Sequence, residues 1–176
     1  YAAATGIDSR ARVHVGLHDS NAALLAARAA TGSDEVTLVT TGTWFVAMRS
    51  SLDSHSSALM RLRAELDCLI NLDVGGRRVP SARFMGGREL ENLASDDTPP
   101  VDTSTLQDAM VAALDRIIDS EAMALPNWAG TSGPFPNAVP TWTARPEDAV
   151  GRAAAIALYA ALMTDAMLTL VDAGDT

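Results

Sequence analysis

The chain has no lysine. All 13 of its basic residues are arginine, set against 22 acidic ones, for a formal net charge of −9. An acidic chain without a basic stripe argues against nucleic acid as the partner. It leaves phosphate ligands open, because glycine turns and backbone N–H groups hold phosphates without net positive charge. Cysteine is nearly absent: Cys68 stands alone, which excludes an intramolecular disulfide, fits a reducing compartment and points to a cytoplasmic location. Long apolar runs are missing as well. The most apolar stretch, Ala153 to Met163, stops at Thr164 and Asp165, well short of the roughly 20 residues of a membrane span. It is expected to be a buried helix of a soluble protein, with no membrane as partner, and no leader segment is visible. Tyr1 is not an initiator Met and Thr176 follows directly on a helical pattern, so both ends read as cuts in a longer chain. What is present is apolar content, at 48% of the residues, enough for a sizeable core in one domain or parts of two.

Periodicity supplies the elements. Residues alternate from Arg12 to His18, with Val13, Val15 and Leu17 on one face, which predicts a strand. An Ala- and Leu-rich helix follows over Asn21–Ala30 and ends near Gly32. Val36 to Thr40 and Trp44 to Met48 form a hairpin around Thr41-Gly42-Thr43, and Cys68 to Leu72 with Arg77 to Val79 form a second around Gly75-Gly76. Gly86-Gly87 opens a short helix to about Leu93, and Ser95 to Thr103 reads as a surface connection. Ser104 and Gln107 make a capping-box pattern ahead of an apolar helix face. Leu125 to Arg145 is a long irregular stretch, and the last helix is expected to start at Pro146 and run to about Asp172. Cys68 and the methionines Met110, Met123, Met163 and Met167 are expected in the core.

Two segments carry chemistry. In Gly16-Leu17-His18-Asp19-Ser20, a carboxylate stands between a strand pattern and a helix, where ligands bind in open α/β sheets. On spacing alone, a helix cap is the commoner role for Asp19 or Ser20. In Thr40-Thr41-Gly42-Thr43-Trp44, a glycine between threonines lets the backbone approach a ligand and supplies donors for phosphate oxygens; an ordinary hairpin turn would look the same. His14 and His18 are two apart on one face, but no third ligand is placed to complete a metal site. Trp128 and Trp142 would suit either a sugar ring or packing of the long loop.

Taken together, the order strand, Gly-x-His-Asp-Ser, Ala/Leu helix, strand, Thr-Gly-Thr-Trp, strand resembles the FGGY carbohydrate kinases, most of all their rhamnulokinase- and fuculokinase-like branch. Val79 to Glu89 and the final Ala-rich helix also look like that family. The resemblance implies an α/β, ribonuclease-H-like (actin-like ATPase) fold of two domains with ATP between them. This chain would span the end of the first (residues 1–50) and the start of the second (51–176). It implies Asp19 as catalytic base, with His18, Asp19, Ser20 and Arg83 binding substrate; Arg83 falls where that pattern has Asn. It implies Gly42, Thr43, Gly86 and Glu91 at the nucleotide, with ATP and Mg²⁺ as cofactors. The family's N-terminal phosphate loop and C-terminal adenosine motif would lie outside the chain.

The expected activity is therefore transfer of the γ-phosphate of ATP to a hydroxyl of a small sugar, a ketose in the first instance; a homo-oligomer is compatible with it. The alternative is a non-catalytic sugar- or nucleotide-binding regulator of the same superfamily, against which Asp19 argues. A hydrolase using Asp19 and a neighbouring His lacks a nucleophile motif such as Gly-x-Ser-x-Gly.

Overall fold

A computed structural model describes residues 2–8, 10–12, 14, 16–50, 59–60, 62–94 and 104–172. After a four-residue helix α1 (Ala2–Thr5), α2 (Asp19–Thr31) leads into strands β1 (Val36–Thr40) and β2 (Phe45–Ser50). Strands β3 (Cys68–Leu72) and β4 (Arg78–Phe84) follow, then helices α3 (Gly86–Leu93), α4 (Ser104–Asp119) and α5 (Ala149–Asp172). The four strands form one antiparallel sheet in the order β1-β2-β4-β3. The sheet crosses residue 50: the hairpin before it and the hairpin after it are hydrogen-bonded neighbours through β2 and β4.

Alternation along β2 sorts the sheet's two faces. Ala47 points with Cys68, Ala82 and Phe84 into a core closed by Tyr159, Met163, Met167 and Val171 of α5. Met48 points the other way and packs with Val79 on Leu24 of α2. Burying each of these larger side chains contributes on the order of 1.5–3 kcal/mol, so α5 holds its face with many anchors and α2 with few. A separate cluster, including Met110, Ile117 and Ala154, joins α4 to α5. The methionine expectation holds for Met110, Met163 and Met167, whereas Met123 is 38% exposed. Residues 149–171 are long and apolar enough to cross a membrane, with a mean hydropathy of 1.8, and a third of that stretch is buried within the fold.

Several expectations need correction. Arg12, His14 and Gly16 to His18 lie in no strand and are exposed; Val13 and Val15 lie outside the described residues. Helix α2 starts at Asp19 rather than Asn21, and Gly32 ends it in the left-handed conformation at φ 64°. β4 runs on through Pro80, which the β2–β4 ladder spares by stopping at Ser81, so the missing N–H breaks no bond on that side. α5 starts three residues after Pro146: Asp148 Oδ1 accepts from Gly151 N–H at 2.7 Å and Oδ2 pairs with Arg116 of α4 at 3.0 Å. These bonds, the N–H first, hold the Asp148 carboxyl below the usual range. The Ser104–Gln107 cap and the connection at 95–103 fall on residues or side chains outside the description.

Candidate active site

His18 precedes α2 in an extended conformation and Asp19 occupies its first turn. The two side chains meet at 2.7 Å, His18 Nδ1 to Asp19 Oδ1. Ser20 N–H lies 2.7 Å from Asp19 Oδ1 and 3.4 Å from His18 Nδ1. Ser20 N–H donates to both, with the shorter bond to Asp19 Oδ1, so one backbone donor holds the carboxylate and the imidazole side by side. Asp19 is thereby oriented on one oxygen while 90% of its side chain is exposed. Ser20 is buried beside it, its hydroxyl 3.4 Å from Thr40 Oγ1 at the end of β1. This contact ties the carboxylate's helix to the Thr-Gly-Thr hairpin.

The hairpin is held from behind by α3. A Cβ at Gly87 would collide with the Gly42 carbonyl oxygen and come within 2.9 Å of its carbon and 3.1 Å of Thr43 Cα. One at Gly86 would lie 2.5 Å from the Phe45 ring. Two glycines in succession are therefore what lets the start of α3 touch the hairpin. α3 is itself pinned by Glu89, which is fully buried and accepts a hydrogen bond from Tyr159 Oη of α5. Burial pushes the Glu89 carboxyl up, opposed by Tyr159 and by backbone N–H groups of Asn127 and Trp128. Burial, and then the carboxylate, push the Tyr159 hydroxyl up as well.

A cavity of about 300 Å³ opens in front of these elements, with His18, Asp19 and Ser20 on one side, Gly42 and Thr43 on another, and Arg83 as its cation. The Thr41 and Thr43 hydroxyls make no hydrogen bond among the described residues. Arg83 is opposite Val46 in the β2–β4 register, its guanidinium 4.8 Å from the Trp44 ring centre and its Nε 3.5 Å from Asp67 Oδ1, so stacking and charge fix it together.

Six of the eight candidate residues thus share one cavity. Gly86 and Glu91 do not line it: Gly86 is buried under Phe45, and Glu91 is exposed on α3 and paired with Arg88 at 2.9 Å. Trp128 and Trp142 pack on each other, ring centres 6.3 Å apart, against the core, which favours packing over sugar stacking. Sequence reasoning missed Gly87 and the Trp44–Arg83 pair. The doubled glycine at a helix start signalled the first; the second depends on strand register and left no local signal.

A sheet packed between helices, with a carboxylate and a glycine hairpin at one cavity, defines an α/β domain of the actin-like ATPase fold. The model of the carbohydrate kinase FGGY C-terminal domain matches residues 33–176, and the chain belongs to that family. It is also similar in structure to a carbohydrate kinase from Novosphingobium aromaticivorans, with a TM-score of 0.78 and 47% identity over 97% of this chain. The match covers 37% of that protein, so the chain spans little more than a third of its length. No curated protein matches the sequence.

Proposed function

We propose that this chain is part of a cytoplasmic, ATP-dependent sugar kinase of the rhamnulokinase- and fuculokinase-like branch, acting on a ketose. The observation that carries the reading is the common cavity of Asp19 and Thr43: a base and phosphate donors must flank the line of transfer. In this reading Asp19 accepts the proton of the attacking sugar hydroxyl, and His18 keeps its carboxylate turned to the cavity. Arg83 and Ser20 hold the sugar. The hydroxyls of Thr41 and Thr43, which have no partner among the described residues, and the backbone at Gly42 suit phosphate oxygens, so the hairpin fits a nucleotide triphosphate. ATP supplies the phosphoryl group. No cluster of three or more His, Cys, Asp or Glu suited to a metal occurs among the described residues. Mg²⁺ commonly binds through substrate phosphates with one or two carboxylates, which is the mode this site would use. Asp19 is largely exposed here; exclusion of water would fall to parts of the longer enzyme.

The test is Asp19→Asn in the whole enzyme. Loss of a general base costs ~10²–10⁴-fold, so sugar-dependent turnover should fall by about that range. Affinity for sugar and ATP should change far less, and thermal stability should stay near wild type because Asn still accepts the Ser20 N–H. Undiminished turnover would remove Asp19 from the chemistry; lost stability with retained turnover would make it structural.

A further inference from the structure

A second cavity, of about 210 Å³, adjoins the first and shares His18, Ser20, Val46 and Arg83 with it. Its remaining polar wall comes from Asn21 of α2, Asn71 of β3 and Ser81 of β4. Asn71 and Ser81 lie on the sheet face that α2 covers, with Asn21 on the helix above, and that face changes character along its length. Under the later turns of α2 it is apolar, Leu24 on Met48 and Val79. Two residues along β4 from Val79, the same face presents Ser81, then Arg83; Asn71 is the register partner of Val79 on β3. Ser81 is 1% exposed, donates to Val79 O at 3.2 Å and accepts from Asn71 Nδ2 at 3.0 Å. Asn21 Oδ1 is buried with no hydrogen-bond partner among the described residues.

Buried polar groups left unpaired cost about 1–3 kcal/mol each, and the neighbouring register position shows that this face accepts aliphatic side chains. Polar residues instead concentrate at the end nearest Asp19. They match a ligand that brings its own donors and acceptors, which each sugar hydroxyl does.

We propose that this chamber reads the hydroxyls of the acceptor sugar remote from the reacting one, with Asn71 and Asn21 as specificity-determining residues and Ser81 orienting the Asn71 amide. The proposal rests on the kinase reading and deepens it. A site built to hydrogen-bond a hydroxyl rejects the analogue that lacks it more strongly than a hydrophobic pocket discriminates a methylene.

The experiment compares whole wild-type enzyme with Asn71→Leu, Asn71→Thr and Ser81→Ala on a panel of ketopentoses, ketohexoses and their deoxy forms. One lost hydrogen bond is worth about tenfold. Asn71→Leu should therefore raise KM for the preferred sugar ~10-fold, narrow its preference over the matching deoxy sugar and leave KM for ATP unchanged. Asn71→Thr, which keeps a hydroxyl, should recover part of the affinity, and Ser81→Ala should lie between the two. Sugar KM and ranking unchanged in all three variants, with Asp19→Asn still inactive, would overturn the chamber and leave the kinase standing. An active Asp19→Asn would instead overturn the kinase reading itself.

Discussion

The sheet ends in a glycine hairpin at each edge of its length, and the two are built in opposite ways. In the β3–β4 turn, Asp73 is nearly buried and accepts from Gly75 N–H, Arg77 N–H, Arg77 Nε and Arg28 Nη1 at 2.6–2.9 Å. Asp34 adds bonds to the same two arginines. That turn consumes its own polar groups and clamps the end of α2. The β1–β2 turn consumes almost none of its own: the Thr41 and Thr43 hydroxyls have no partner among the described residues, and its position is imposed from outside by the close approach of Gly87. A turn that serves the fold is satisfied internally; one braced by a neighbour and open in front is what the proposed phosphate-binding role would require.

The contrast breaks down if the two hairpins respond alike to mutation. Asp73→Ala should give the largest effect, because it removes a buried acceptor of four hydrogen bonds and leaves Arg28, whose side chain is 9% exposed, with Asp34 as its one remaining carboxylate among the described residues. Breaking a buried pair by removing one partner costs about 3–5 kcal/mol. Chemical unfolding of the whole enzyme should show that loss, with kcat near wild type below the lowered melting temperature. Gly87→Ala should do the reverse. Its methyl group displaces the Gly42–Thr43 backbone, and misplacement by about 1 Å can cost ~10²-fold; kcat should fall by that order with a smaller change in stability. Asp148→Ala sets the scale for an ordinary cap far from both hairpins, at about 1 kcal/mol at neutral pH. The Asp148 pKa is depressed in the folded state, so its stabilisation is present above the unfolded value and is lost as pH falls through the folded one. The gap between wild type and Asp148→Ala in unfolding free energy should therefore close in acid.

Most of this arrangement could be read from the sequence, because it rests on local patterns. Both hairpins, the Ala/Leu helix with its Gly32 stop and the helix at Gly86-Gly87 follow from turn chemistry and period. The His-Asp-Ser and Thr-Gly-Thr segments proved to be neighbours in one cavity. What failed were features settled by non-local partners. An alternation of the Arg12–His18 kind supplies a face but not a ladder, and its described residues join no strand. The second hairpin pattern stops at Val79, yet β4 runs on through Pro80 to Phe84, where its ladder with β2 takes over from Ser81. Pro146 suggested a helix start, but Asp148 makes the better cap and Arg116 fixes it from another helix. Arg83 faces Trp44 only because β2 and β4 pair in one register.

The apolar face of α5 has a consequence for how the chain is made. Ala47, Ala82 and Phe84 wait for Met163 and Met167, partners that emerge from the ribosome some 80 to 120 residues later. Until α5 docks, that side of the sheet lacks its main cover, with Leu93 and Ala124 closing only part of it, and the loop to be closed is long, a combination that slows folding and exposes sticky intermediates. A nascent chain stopped before Ala149 should accordingly bind apolar dyes and chaperones strongly, and release them once α5 has been added; weak binding at the shorter length would mean that the sheet finds cover elsewhere.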